Sequence, residues 1–240
     1  MLDGQARDRI IVAIDCDRDR ALELADALAG HAVWLKVGMT LFYAEGPSIV
    51  REFKDRGFKV FLDLKFHDIP HQVRGAARSA ALVGAALMSV HGLGSAAMLS
   101  ACREGAEEAA LVRGERPNLV AITVLTSMNQ QSLAEIGINE DVAVEAERLA
   151  GLARTSGVDG VVCSPREAAR MRQIVGEDGL VVTPGVRPVG AELGDQSRVA
   201  TPADAIRNGA SHIVVGRPIT GSNDPVAAFE AIVSELLGLE

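Results

Sequence analysis

Cysteine is scarce in this sequence, and its spacing argues against two kinds of architecture. The 240 residues contain three cysteines, Cys16, Cys102 and Cys163, which lie far apart and form no CxxC pair or Cys/His ligand pattern. Disulfide frameworks and zinc sites are recognised by such patterns. We therefore interpret the three cysteines as buried or incidental thiols, and Cys163, within VVCS, as a small core residue.

Positive charge is also in short supply. The chain has 24 Lys and Arg against 32 Asp and Glu, a formal net charge of -8. Binding to nucleic acid or to an anionic membrane usually needs a broad basic surface, because the partner's negative charge has to be neutralised. We expect neither partner, and an anionic ligand would have to be bound by a local cluster of cations.

Long apolar runs are missing as well. The N-terminal stretch MLDGQARDRIIVAIDCDRDR has one short apolar run, which ends at Asp15 and is followed by alternating charges, so it fits neither a signal peptide nor a membrane span. The sequence has no Ser/Pro-rich linker and no low-complexity tract. We expect a cytoplasmic protein with one domain over residues 1–240, a length that barrels and α/β folds routinely use for a single core.

The sequence is built on a regular alternation of two kinds of segment. Short runs rich in β-branched residues are separated by Ala-rich amphipathic stretches with helical spacing. Parallel strands need a crossover and are buried on both faces, so this alternation favours a parallel sheet. Eight units predict a (β/α)8 TIM barrel, with an open doubly wound sheet as the alternative. The runs are RIIVAID (9–15), AVWLKVG (32–38), KVFLDLK (59–65), ALMSVH (86–91), LVAITVL (119–125), GVVCS (160–164), LVVTPG (180–185) and HIVVGR (212–217).

Polar residues recur at the carboxyl ends of these runs, where the reacting groups of barrels stand. Taken alone, Asp15 or Lys36 is equally compatible with a surface salt bridge. Their joint placement on one rim predicts a polar mouth. We interpret His91 as a hydrogen-bonded structural residue and Trp34 as core. The polar residues assigned to the mouth are Asp15, Lys36, Asp63, Lys65, Thr126, Ser127, Arg187 and Arg217.

The stretch FLDLKFHDIP (61–70) concentrates charge at the end of a strand. Side chains alternate along a strand, so Asp63 and Lys65 share a face that points into the mouth if Leu62 and Leu64 face the helices. Nearby carboxylates favour the ammonium form of a lysine, so Lys65 between Asp63 and Asp68 is expected to act as an acid. A Schiff-base nucleophile needs the opposite shift.

Glycine and arginine follow the last two strands. Gly185 and Arg187 come after the seventh run, and Gly216 and Arg217 come after the eighth. The loops after strands seven and eight are a frequent phosphate site of barrels, since Gly lets backbone N–H groups approach an anion and Arg adds charge-assisted hydrogen bonds. We predict a phosphorylated small molecule as ligand. The long segment 185–196 is a candidate lid that brings Gln196 over it; the alternative is a surface loop with no role.

Several of these segments together resemble the orotidine 5'-phosphate decarboxylase family. The resemblance runs in order from Asp15 to about Pro225. The Asp-x-Lys-x-x-Asp core alone marks a superfamily that also includes a magnesium-dependent sugar-phosphate decarboxylase, whereas the other segments make the match specific. The segments are DLKFHDIP (63–70), ITVLTS (122–127), VTPGVRP (182–188), GDQSR (194–198) and VVGRP (214–218).

The resemblance implies a cofactor-independent decarboxylation of orotidine 5'-phosphate to UMP and CO2 in de novo pyrimidine biosynthesis, in a homodimer with shared active sites. It implies that Lys65 donates the proton to pyrimidine C6. Asp63 would lie against the departing carboxylate and orient the lysine. Asp68 would come from the partner subunit.

The resemblance also implies the binding roles of further residues. Asp15 and Lys36 would hold the ribose hydroxyls, and Thr126 and Ser127 the nucleotide and its pyrimidine. The phosphate end would be served by Arg187, Gln196, Gly216 and Arg217. One position departs from the family pattern, which has Thr where this chain has Gln72. Gln72 can still donate or accept a hydrogen bond to the ribose.

Two further readings stay open beside the sugar-phosphate decarboxylase. One is a non-catalytic, nucleotide-binding barrel, although a lysine flanked by two carboxylates has no use there and costs stability. The other is a Schiff-base aldolase barrel. The sequence shows no metal-ligand cluster and no signature of a pyridoxal or thiamin cofactor, so we expect the barrier to be lowered by electrostatics and positioning.

Overall fold

The computed structural model describes residues 1–188 and 200–238. Eight parallel strands pair in chain order, and β8 pairs with β1, so the sheet closes into a barrel. The closure excludes the open doubly wound sheet and confirms the (β/α)8 TIM barrel. The strands are β1 Ile10–Ile14, β2 Trp34–Gly38, β3 Lys59–Phe66, β4 Leu87–His91, β5 Asn118–Ile122, β6 Gly160–Val162, β7 Leu180–Pro184 and β8 His212–Val215.

Helices surround the barrel and connect its strands. Local signals fix their ends: Asp17 accepts a hydrogen bond from the Arg20 N–H before α2, Pro70 begins α5, and Gly114, with φ of 80°, ends α6 in the left-handed conformation. The helices are α1 Asp3–Asp8, α2 Arg18–Leu28, α3 Met39–Glu45, α4 Pro47–Asp55, α5 Pro70–Val83, α6 Ser95–Arg113, α7 Gln130–Glu135, α8 Val142–Thr155, α9 Ala168–Val175, α10 Pro202–Arg207, α11 Arg217–Thr220 and α12 Pro225–Leu237.

The core has two layers because side chains alternate along each strand. One layer fills the barrel, and the other lies between the sheet and the helices, where Ile10, Val12 and Leu62 pack. The predicted core position of Trp34 is confirmed, since it is buried in the inner layer. The inner layer consists of Ile11, Ala13, Trp34, Phe61, Leu87, Val120, Val182 and Val214.

The polar inner positions lie above this layer, towards the carboxyl ends of the strands. In β3, Phe61 belongs to the inner layer and Leu62 to the outer one, so the next inner position is Asp63. Seven of the eight strands are shorter than the runs that predicted them, and β3 is one residue longer. The fifth leaves the sheet after Ile122 and the sixth after Val162, and the Thr123 side chain donates to the Val162 carbonyl at 3.0 Å where they part.

The structure bears on two expectations from the composition, one about the cysteines and one about membrane spans. Cys102 and Cys163 are buried, Cys16 is half-buried, and all three are free thiols. Burial raises the pKa of the Cys102 thiol to about 12, so it stays protonated at neutral pH. Within residues 1–188 and 200–238, none of the helices has the length and apolarity that a membrane crossing needs.

Candidate active site

A cavity of about 470 Å³ opens at the carboxyl end of the barrel. Its floor is apolar, with Phe61 and Val214 from the inner layer and Ile122 and Val162 from neighbouring strands. Its wall carries most of the residues that the sequence assigned to the mouth. The predicted residues that line it are Asp15, Lys36, Asp63, Lys65, Thr126, Arg187, Gly216 and Arg217, together with Gly185.

Four charged side chains form a row along one wall, with cations and carboxylates in alternation. Lys36 Nζ lies 3.2 Å from Asp15 Oδ1 and 3.6 Å from Asp63 Oδ2. Lys65 Nζ lies 2.9 Å from the same Asp63 oxygen. The row follows β1, β2 and β3, because neighbouring parallel strands place their carboxyl ends side by side. A substrate here would face two ammonium groups held by one buried carboxylate.

Asp63 is ionised despite its burial. Burial alone raises the pKa of this carboxyl, but the neighbouring Lys36 and Lys65 ammonium groups and a hydrogen bond from Ser89 lower it, and the net effect is a pKa below the usual value. The side chain is only 12% exposed. A permanent negative charge therefore lies beneath the two lysines at neutral pH.

The backbone of Lys65 adopts an unusual conformation. Its φ is 52°, in the left-handed region that residues with a Cβ rarely occupy. The Lys65 N–H donates to Ser89 Oγ at 2.9 Å, and the Ser89 hydroxyl donates to Asp63 Oδ1 at 2.7 Å. Sequence reasoning missed Ser89. The signal was its inward position in β4, two residues after Leu87 of the inner layer.

Gly38 is a second residue that sequence reasoning missed. It ends β2 beside the charged row, and a Cβ there would lie 3.0 Å from Asp15 Oδ1 and 3.2 Å from Lys36 Nζ. These distances are tighter than ordinary van der Waals contact. The absence of a side chain at Gly38 therefore leaves room for the Asp15–Lys36 pair.

Glycine and arginine line the part of the cavity that follows β7 and β8, as predicted for a phosphate site. Gly185 has φ of 81°, a conformation that favours glycine, directly after β7. Arg187 is buried, and its backbone N–H donates to the Ala200 carbonyl at 3.0 Å. Gly216 precedes α11, whose first residue is Arg217. This part of the cavity thus combines two glycines with two arginines.

Three of the predicted site residues that the structure describes, Asp68, Gln72 and Ser127, do not line this cavity. Asp68 and Gln72 are exposed beyond the end of β3, where Asp68 Oδ1 accepts from the Ile69 N–H at 2.6 Å. Ser127 is exposed after β5. Gln196, with most of the candidate lid, lies outside the described residues. Their roles stay predictions.

His91 has the surroundings of a structural residue. Its ring stacks on His67 with centroids 5.1 Å apart, and its Nδ1 accepts a weak hydrogen bond from the Leu93 N–H at 3.4 Å. Burial is the main cause that lowers the pKa of His91 to about 4, and the nearby His67 and Lys65 add to it. The ring is therefore neutral at physiological pH. These features fit the interpretation that kept His91 out of the site.

The arrangement suits electrostatic chemistry on an anionic substrate. Within the described ranges, no three His, Cys, Asp or Glu side chains come together in a way that could hold a metal ion. Instead, carboxylates and ammonium groups alternate, and the donors are fixed before any ligand binds. Such fixed donors stabilise charge that develops in a transition state, because they need no reorganisation.

Comparison with known proteins agrees with this geometry. Residues 8–232 match the model of the Orotidine 5'-phosphate decarboxylase / HUMPS family. A protein of Alkalilimnicola ehrlichii named orotidine 5'-phosphate decarboxylase is 52% identical over 95% of this chain and 96% of its own length. Its namesake in Moorella thermoacetica is 48% identical over 98% of this chain and 95% of its own.

Two solved structures are similar to this chain in both fold and sequence. The crystal structure of orotidine 5'-phosphate decarboxylase from Lactobacillus acidophilus superposes with a TM-score of 0.85 at 39% identity, covering 95% of this chain and 98% of that one. An uncharacterised conserved protein from Geobacillus kaustophilus superposes with a TM-score of 0.84 at 36% identity, covering 95% and 99%. The chain belongs to the orotidine 5'-phosphate decarboxylase / HUMPS family.

Proposed function

We propose that this protein decarboxylates orotidine 5'-phosphate to UMP and CO2 in de novo pyrimidine biosynthesis, without a cofactor. One observation carries the proposal: the Lys65 ammonium lies 2.9 Å from the buried Asp63 carboxylate in a cavity that Arg187 and Arg217 also line. The names of the 52% and 48% identical relatives support the same substrate.

The reaction breaks the bond between pyrimidine C6 and its carboxylate, and the electron pair of that bond stays on C6. Lys65 donates a proton from Nζ to form the new C6–H bond, and its positive charge stabilises the developing carbanion. Asp63 holds the lysine in place and lies near the departing carboxylate. Repulsion between these two carboxylates is not required, because the interaction with Lys65 grows as charge moves onto carbon.

The phosphate is bound after β7 and β8 by Arg187, Gly216 and Arg217, and by Gln196 from the candidate lid. Guanidinium groups form strong charge-assisted hydrogen bonds with phosphate oxygens. Binding energy at a group remote from C6 can drive closure over the substrate and so lower the chemical barrier. This gives the phosphate site a role in catalysis as well as in affinity.

The middle of the nucleotide lies along the charged row. Asp15 and Lys36 bind the ribose hydroxyls, where the 3.2 Å contact between them holds both groups in place before binding. Thr126 and Ser127 contact the nucleotide and its pyrimidine. Thr126 lines the cavity, which supports its share of this role.

The active protein is a homodimer in which each subunit completes the other's site. Asp68 and Gln72 are exposed and lie outside their own cavity, on the segment that follows β3. A carboxylate in this position can join the charged row of a neighbouring subunit. Gln72 takes the place of the family's threonine towards the ribose. We also infer a cytoplasmic protein in which residues 1–240 form a single domain.

The test is a spectrophotometric assay of the purified protein with orotidine 5'-phosphate, with and without EDTA. We expect the substrate absorbance to fall at the same rate in both. A sugar-phosphate decarboxylase dependent on magnesium would leave orotidine 5'-phosphate unchanged. A non-catalytic barrel would bind UMP without turnover, and a Schiff-base enzyme would be trapped on Lys65 by borohydride. Any of these three results overturns the proposal.

A further inference from the structure

Ser89 lies beneath the charged row and touches two of its members. The residue is in β4, is fully buried, and does not line the cavity. Its hydroxyl accepts from the Lys65 backbone N–H at 2.9 Å and donates to Asp63 Oδ1 at 2.7 Å. One oxygen atom thus joins the backbone of the proposed proton donor to the carboxylate that holds its ammonium group.

The strand pairing explains why the connection is needed. Leu62 pairs with Met88 and Phe66 with Val90, so residues 63, 64 and 65 of β3 span the interval that Ser89 alone spans in β4. The regular ladder of backbone hydrogen bonds is interrupted there. The Lys65 N–H finds its acceptor in the Ser89 side chain, and the left-handed Lys65 conformation is held by that bond.

The same hydroxyl decides how the Asp63 carboxylate is oriented. Because Ser89 donates to Oδ1, the other oxygen, Oδ2, is left for the two ammonium groups, at 2.9 Å from Lys65 and 3.6 Å from Lys36. Loss of the Ser89 donor would free the carboxylate to rotate. Rotation would move the Lys65 ammonium, which follows the oxygen it binds.

We propose that Ser89 is a positioning residue for the decarboxylation, acting through Asp63 and Lys65 without touching the substrate. Its hydroxyl fixes the carboxylate plane and the backbone of the proton donor together. The assignment rests on the proposed function, since it concerns the arrangement of the group that delivers the proton.

Ser89→Ala tests the assignment, with Ser164→Ala as a matched control. Ser164 is also buried, and its Oγ makes no hydrogen bond to the described residues, so the same deletion there removes no contact of this kind. We expect kcat of Ser89→Ala to fall about 10- to 100-fold, as for loss of a hydrogen bond to a charged group. KM should change little, because Ser89 does not line the cavity.

Two further variants separate positioning from packing. Ser89→Thr keeps a hydroxyl and should restore most of the kcat, although its extra methyl group strains the buried site. Ser89→Cys keeps the volume but has a weak S–H donor, so its kcat should lie between those of Ser89→Thr and Ser89→Ala. If kcat follows the melting temperature of the variants instead of the strength of the donor, Ser89 is only a packing residue.

A titration provides a readout that does not depend on turnover. The carboxyl of Asp63 faces Lys36 from β2, Lys65 from β3 and Ser89 from β4, and Asp15, which directly follows β1, lies on the far side of Lys36. Carbon-13 NMR should show a higher Asp63 pKa in Ser89→Ala than in the wild type, since a donor to the charged form is lost.

The turnover assay and the Asp63 titration distinguish a failure of the proposed function from a failure of the Ser89 assignment. If the wild type does not turn over orotidine 5'-phosphate, the proposed function fails, and the Asp63 titration alone decides whether Ser89 fixes the carboxylate. If the wild type is active but Ser89→Ala matches Ser164→Ala in kcat, or leaves the Asp63 titration unchanged, the assignment of Ser89 is wrong.

Discussion

The two ends of the barrel carry the same residue types in different settings. At the amino end, Asp8 accepts hydrogen bonds from Trp34 Nε1 and from Lys59 Nζ, both at 3.0 Å, and Lys59 lies over the indole ring. Trp34 belongs to the inner core layer and is the first residue of β2. At the carboxyl end, lysines and carboxylates border an open cavity instead.

The Asp8–Lys59 pair at the amino end and the Lys36–Asp63 pair at the carboxyl end also differ in exposure. The Lys59 side chain at the amino end is 52% exposed, whereas Lys36 and Asp63 at the carboxyl end are 11% and 12% exposed. Water screens the exposed pair, so it contributes little to stability. Lys36 and Asp63 are shielded from water, so the charge of each depends on its neighbours. A lysine and a carboxylate therefore indicate chemistry here only at the end of the strands where both are buried beside a cavity.

The largest contrast is expected between Lys65→Ala and Lys59→Ala. Removal of Lys65, the proposed proton donor, should lower kcat by about 10²–10⁴-fold, the usual contribution of general acid catalysis. Lys59→Ala removes a lysine at the other end of the barrel and should leave kcat unchanged. The spectrophotometric assay measures both. Intact turnover in Lys65→Ala would assign the cavity to binding alone.

Asp63→Asn and Asp8→Asn compare the two carboxylates through stability. Asp63→Asn takes the carboxylate away from Lys65 and leaves the buried Lys36 with the exposed Asp15 alone, so the free energy of unfolding at pH 7 should fall by about 3 kcal/mol. The corresponding loss for Asp8→Asn should be about 1 kcal/mol or less. Urea unfolding measures both variants. Equal losses would show that the buried Asp63 carboxylate and the exposed Asp8 carboxylate do not differ in their contribution to stability.

The stability difference for Asp63→Asn should depend on pH with a defined sign. The pKa of Asp63 is lower in the folded protein than the usual 3.8, so its charge stabilises the fold above that value. The contribution is lost as pH falls below 3.8 through the folded pKa. Wild type and Asp63→Asn should therefore converge in acid. A difference that is constant between pH 7 and pH 3 contradicts this account.

Arg217→Ala and Arg9→Ala compare arginines at the two ends. Arg217 lines the cavity, whereas Arg9 borders a second, open groove at the amino end. Arg217→Ala should lower kcat/KM for the nucleotide by about 10- to 100-fold, as for a lost charge-assisted hydrogen bond, and far less for a substrate without phosphate. Arg9→Ala should affect neither. Equal losses on both substrates would contradict the phosphate role of Arg217.

The smallest expected effect comes from Gly38→Ala. The new Cβ would press on Asp15 and Lys36 and should raise KM about two- to tenfold, as for one weakened hydrogen bond, with little change in kcat. Gly75→Ala in α5 is the control, because a Cβ there would meet nothing within 4 Å. An unchanged KM in Gly38→Ala would show that the Asp15–Lys36 pair tolerates displacement.

The sequence predicted the barrel well because its signals are local. Apolar runs and helical spacing mark each βα unit, and the rule that polar residues gather at the carboxyl ends of strands then selects Asp63 and Lys65. Ser89 was missed because its role depends on the pairing of β3 with β4. The left-handed Lys65 was missed because alternation along a strand assumes regular backbone, and Gly38 because a clash depends on distances in space.

The irregular pairing of β3 has a consequence for how the strand faces its surroundings. Three residues, 63 to 65, stand against Ser89 alone, so β3 carries two extra residues, an even number. Inward and outward facing alternate with a period of two, so the strand resumes its original parity at Phe66, which packs outward with Val90. An odd insertion would have turned Phe66 into the barrel. The chain can therefore reshape the backbone at Lys65 without disturbing the packing of the helices outside.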